Sequence, residues 1–121
     1  MLKTNFSMSL PGLLTLCLFA LGPLAWGSAR ADTPVFDIII KDHQFHPARL
    51  EVPAGVKVKL IVDNQDPTPE EFESYELNRE KVIMGNSKAT VFVGPLEAGE
   101  YPFFGEFNPQ SAQGVLVATS P

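Results

Sequence analysis

Both histidines of the 121-residue chain stand in one short stretch, Asp42-His43-Gln44-Phe45-His46-Pro47. A second stretch, Asp66-Pro67-Thr68-Pro69-Glu70-Glu71-Phe72-Glu73-Ser74, brings Glu70, Glu71 and Glu73 close together. A third, Tyr101 to Gly114, packs Tyr101, Phe103, Phe104 and Phe107 around Glu106 and Asn108 and then runs irregularly into a final apolar segment. Imidazole and carboxylate without thiolate form a donor mixture suited to iron or Cu(II), and also to zinc or manganese. The one cysteine, Cys17, lies in an N-terminal segment that reads as a leader. The chain after that leader therefore has no thiolate ligand, no cysteine nucleophile and no disulfide.

Each of these residues has an ordinary structural role open to it as well. Glu71 and Glu73 lie two apart, so on a strand they share a face and Phe72 points the other way, into a core. Such a pair can simply be a solvated acidic face. Glu70 can flank Pro69 in a turn, and loop histidines are more often exposed than ligating, although two in one loop bring a metal role level with the exposed one. Glu80 can ligate or can pair with Arg79 or Lys81. Met84 suits core filling better than a soft copper contact, and Phe103, Phe104 and Phe107 suit core and rim packing.

The elements that must position these side chains are strands. Val35 to Ile40 is short and β-branched, and Val56 to Val62 alternates before turning fully apolar. Ala89 to Val93 and Gly114 to Ala118 repeat the theme. Turn chemistry separates them at Val52-Pro53-Ala54-Gly55, Asn64-Gln65-Asp66-Pro67, Met84-Gly85-Asn86-Ser87 and Glu97-Ala98-Gly99-Glu100. The spacing predicts an all-β sandwich of seven to eight short strands. Glu70 to Met84 is the least regular stretch, and a short helical turn is expected around Asn78-Arg79-Glu80.

Residues 1–31 carry Lys3, an apolar run from Leu13 to Trp26 and a closing Ala29-Arg30-Ala31. That order of charge, apolar run and small-x-small motif is expected to be a cleaved secretory signal peptide, leaving residues 32–121 as one domain. The run is broken by Gly22-Pro23 and falls short of the roughly 20 apolar residues of a membrane span, so no stable membrane insertion is expected. Residues 32–121 retain all 14 acidic residues and seven of the nine basic ones, a net charge of −7 against −5 for the whole chain. Such a surface is a poor partner for nucleic acid or anionic lipid, and suits a metal cation or a basic protein. There is no Gly-x-Ser-x-Gly elbow, His-Glu-x-x-His or phosphate loop to support a hydrolase.

The Val52–Gly55 turn, the Val62-Asp63-Asn64 strand end, Leu96 to Phe103 and Gln113-Gly114-Val115-Leu116-Val117 come in an order that resembles the cupredoxins, small Greek-key β-sandwiches that hold blue copper. The resemblance implies a first histidine ligand at or next to Glu70 and Glu71, a cysteine at Gly105, a second histidine at Asn108 and a methionine at or near Gln113. None of these ligand types is present, so a blue-copper centre is not expected. Glu71 to Ile83 and Tyr101 to Pro109 resemble more narrowly the EfeO-type cupredoxin-like domains of periplasmic iron-uptake systems. That likeness implies iron and/or copper as the bound ion, with a carboxylate, Glu71, at the first-ligand turn. It also implies a periplasmic location, a periplasmic iron-binding protein and a membrane iron permease as partners, and ferroxidase or metal-relay work. If the family topology holds, one end of the sandwich gathers His43, His46, Glu70, Glu71, Glu73, Glu106 and Asn108 as candidate metal ligands. The alternative is a metal-free cupredoxin-fold module that docks on a partner in the periplasm.

Overall fold

The strands form where the side chains alternate. In the computed structural model, which describes residues 32–121, nine strands are present among the described residues: β1 Val35–Lys41, β2 Gln44–His46, β3 Arg49–Pro53, β4 Val58–Asn64, β5 Glu70–Ser74, β6 Arg79–Ile83, β7 Ser87–Val93, β8 Gly99–Gly105 and β9 Gln113–Thr119. The expected signal peptide, residues 1–31, lies outside the described residues. Among the described residues no helix is long and apolar enough to cross a membrane.

The strands build two sheets, in the orders β2-β1-β4-β7 and β3-β9-β8-β5-β6. β1 runs parallel to β4 and β3 parallel to β9, while the other neighbours are antiparallel. This is the expected all-β sandwich, with the three-residue β2 and the short β6 taking the count past eight. Along β4, Val58, Leu60, Val62 and Asn64 are buried and the residues between them are only half-buried, which is the period of two expected of a strand covered on one face. Ile38, Ile40, Leu60, Phe72, Phe103 and Leu116 meet in the core between the sheets. Phe103 stacks on Phe72 at 5.0 Å between ring centroids, and Phe45 meets both edge-on. These geometries suit the ring quadrupole, and all three rings belong to the buried core.

The expected helical turn at Asn78–Glu80 is replaced by a β5–β6 hairpin. Residues 75–78 form its turn, Asn78 takes a left-handed φ of 52°, and Arg79 and Glu80 already belong to β6. Asparagine tolerates that conformation far better than most residues, so the chain reverses at Asn78 instead of coiling on. Ser74 Oγ secures the reversal, donating to the Pro102 carbonyl at 2.7 Å and accepting from Leu77 N at 3.1 Å.

Candidate functional site

The loops leaving β1, β4, β6 and β8 lie at one end of the sandwich, and buried polar side chains hold them there. Asn64, fully buried, donates from Nδ2 to the Thr68 carbonyl at 2.9 Å and the Ile83 carbonyl at 3.1 Å, and its Oδ1 accepts from Asp66 N at 3.0 Å. The Asp66 carboxylate in turn accepts from the amides of Asp42 at 2.8 Å and His43 at 2.9 Å. Those two residues both take positive φ, 53° and 57°, so the buried carboxylate fixes a turn that few side chains tolerate. Burial alone would raise the Asp66 pKa. The two amide hydrogen bonds, with the charges of His43 and Lys41, outweigh it and hold the carboxyl below its ordinary range. Asp66 is a key residue of this end, whereas in the sequence it stands out only as part of a turn.

The seven expected ligands do not form one group. Glu70 and Asn108 meet inside. β5 alternates buried and half-buried positions, which turns Glu70 inward together with Phe72 and Ser74. The Glu70 side chain is 1% exposed. Its Oε1 accepts from Glu71 N at 3.0 Å and Phe107 N at 2.9 Å, and its Oε2 accepts from Asn108 Nδ2 at 2.7 Å. The same alternation turns Glu71 and Glu73 outward. The β5–β6 register sets Glu73 opposite Glu80, and carboxylate oxygens of Glu71, Glu73 and Glu80 lie within 4.8 Å of one another. Glu106 follows β8 beside them, its amide donating to the Glu71 carbonyl at 2.9 Å. Partial burial and the charges of Glu106, Glu71 and Glu80 hold the Glu73 carboxyl above its ordinary range. A shallow cleft of about 320 Å³, lined by residues that include Glu73, Tyr75, Arg79 and Glu80, opens alongside.

His43 and His46 belong to neither group. His43 Nδ1 lies 3.7 Å from Asp66 Oδ2, and its carbonyl accepts from Ser111 Oγ at 2.8 Å. His46 sits exposed on β2 opposite Ile39. The outer cluster thus joins Glu71 and Glu73 to Glu80, for which the sequence leaves open a ligand or an ion-pair role. The signal that finds it is the hairpin register.

This arrangement matches a known family. The cupredoxin-like domain model covers residues 13–118, and the chain belongs to that family. An uncharacterised protein of Rickettsia prowazekii (strain Madrid E) is 45% identical over 80 residues, which span 66% of this chain and 64% of the Rickettsia protein. Among solved structures, the blue copper protein auracyanin A from Chloroflexus aurantiacus superposes with a TM-score of 0.61 at 16% identity, over 70% of this chain and 98% of its own. The metal-binding domain of the Cu(I)-exporting P-type ATPase CopA of Streptococcus pneumoniae D39, solved with Cu(I), gives 0.59 at 18% identity, over 70% of this chain and 84% of its own. Amicyanin from Paracoccus versutus gives 0.56 at 17% identity, over 74% of this chain and 83% of its own. At these identities the structural likeness establishes the fold.

Copper as the blue-copper proteins hold it does not fit the inner group. The side-chain donors there are a carboxylate and a carboxamide, with a glycine at the remaining position, in place of a thiolate with two imidazoles. Moreover, Glu70 Oε1 and Oε2 already receive three N–H donors.

Proposed function

We propose that the chain is an exported, periplasmic cupredoxin-like protein that binds a metal cation on the outer carboxylates Glu71, Glu73 and Glu80, with Glu106 adjacent, and serves iron uptake. The observation that carries this reading is the convergence of three carboxylates within 4.8 Å. Like charges at that spacing repel, and that repulsion adds to partial burial in raising the Glu73 pKa. A cation relieves it. Carboxylate donors favour Fe(III) over Fe(II) by charge, so such a site would draw Fe(II) toward the oxidised form when an electron acceptor is present, as in a ferroxidase or a relay. The EfeO-type resemblance of Glu71–Ile83 and Tyr101–Pro109 supports iron as cargo, with a periplasmic iron-binding protein and an iron permease as partners. Copper is the second candidate ion.

Calorimetric titration of the purified protein with Fe(III)-citrate and with Cu(II) tests the reading. Binding that falls about tenfold in Glu73→Gln and in Glu80→Gln supports it, since each substitution removes one charged contact. A wild-type protein that takes up neither ion sinks it.

A second reading, a metal-free docking module, is favoured by one observation. The inner position where the family's copper ligands would stand is filled by protein atoms, Glu70 and its three donors. Absence of any metal binding together with stable capture of the iron-binding protein would establish that reading instead.

A further inference from the structure

Gly105 ends β8 beside the buried carboxylate. A Cβ built on it would come within 2.6 Å of Glu70 Cδ, 2.8 Å of Glu70 Oε1 and 2.6 Å of Ala112 Cβ, closer than real Cβ atoms approach. No positive φ is involved at Gly105, so what requires glycine there is the neighbouring atoms and not the backbone. The loop beyond it closes on itself: Gly105 N donates to the Ala112 carbonyl at 2.8 Å, and Ala112 N donates to the Asn108 carbonyl at 2.9 Å. Among the described residues no buried side-chain nitrogen or oxygen lacks a hydrogen-bond partner. Both Glu70 carboxylate oxygens are therefore already engaged by protein N–H donors.

We infer that Glu70 and Gly105 are a matched pair that closes this position to metal, with the Glu70 carboxylate supplying the cross-link between β5 and the β8–β9 loop that a bound ion would otherwise make. The carboxylate joins two chain segments at one point through three hydrogen bonds, as a metal could. It takes Glu71 N from its own strand, Phe107 N from the loop backbone and Asn108 Nδ2 from a loop side chain. A side chain at position 105 would need the room that Glu70 occupies, so the glycine and the glutamate depend on each other. The inference does not rest on metal binding by the outer carboxylates.

A double-mutant cycle on the purified protein in EDTA tests the pairing, with thermal unfolding as the readout. Gly105→Ala in the wild-type background should lower Tm by about 5–15 °C, the usual penalty for forcing a methyl group into filled space in a domain of this size. In the Glu70→Ala background the same substitution should cost at most about half as much, because only the Ala112 contact remains. Equal costs in the two backgrounds overturn the inference. A second measurement decides the matter if Gly105→Ala does not fold. Cu(II) and Fe(III)-citrate affinities of Glu70→Gln should stay within about twofold of a wild type that binds, and a wild type that binds neither ion should gain no binding in this variant. A tenfold loss would make Glu70 a ligand and overturn the inference while leaving metal binding by the protein in place. A wild type that binds no metal would remove the proposed function and leave this pairing standing on the cycle.

Discussion

Asn108 donates its side-chain N–H to Glu70 Oε2 at 2.7 Å, tying a residue of the β8–β9 loop to the buried start of β5 across 38 positions of sequence. The bond is the shortest of the three that Glu70 receives. Its acceptor is a carboxylate cut off from solvent, where a lost partner is not replaced by water.

Asn108→Ala is accordingly expected to destabilise the protein by about 1–3 kcal/mol, the range for leaving a buried polar group short of a partner. Denaturant unfolding followed by circular dichroism measures it. Gln110→Ala, on the exposed part of the same loop, should stay within about 0.5 kcal/mol of wild type. If the two variants prove equally stable, Asn108 contributes nothing to Glu70.

Asp66 gives the molecule an acid limit. Its folded pKa lies below the ordinary value, so its contribution is complete above the unfolded pKa of about 4 and is lost as pH falls through the depressed folded pKa. In Asp66→Asn, unfolding midpoints at pH 7 should be lower than in wild type, and the gap should narrow as pH is taken below about 4. A gap that stays constant with pH would mean that the carboxylate charge does not hold the Asp42-His43 turn.

Much of this architecture could be read from alternation. Val58, Leu60 and Val62 face inward as the period of two requires, and so does Phe72 between the outward Glu71 and Glu73. The same count places Glu70 inside, two positions before Phe72. Pro69 and the adjoining turn hid that parity, because a strand's first residue cannot be assigned to a face until its start is known. β6 was hidden for a different reason. Arg79, Glu80, Lys81 and Val82 are all exposed, and only Ile83 is buried, so the strand exists through its pairing with β5 and not through any pattern of its own. The Glu71, Glu73 and Glu80 cluster follows from that register, and a hairpin one residue longer would dissolve it. The joint site expected for the histidines failed on local geometry. His43 is committed to the turn capped by Asp66, and His46 lies on β2 in the other sheet from β5.

Export is a further expectation. If residues 1–31 act as a signal peptide, the protein recovered from the periplasm begins at Asp32. Intact-mass and N-terminal analysis of that fraction checks it, and a retained Met1 would contradict it.

The outer carboxylates should show opposite effects on stability and on binding. The Glu73 pKa is raised in the folded state, chiefly by partial burial and by the charges of Glu106, Glu71 and Glu80. A raised carboxyl contributes its stability below the unfolded pKa, and that contribution is lost as pH rises through the folded one. At neutral pH the ionised Glu73 therefore works against the fold. Glu73→Gln keeps the shape and removes the charge, so without metal its Tm at pH 7 should rise above wild type, and the difference should vanish below about pH 4. With Fe(III)-citrate or Cu(II) the order should reverse: the variant binds about tenfold more weakly and gains less thermal stability from the ion. Glu71→Gln should likewise bind the ion about tenfold more weakly. Glu97→Gln is the control, because it lies at the other end of the sandwich, next to Leu96, whose carbonyl accepts from Gly55 N; it should change neither quantity. A Glu73→Gln protein that is more stable without metal and still binds with wild-type affinity would show the repulsion to be real and the metal site to be elsewhere.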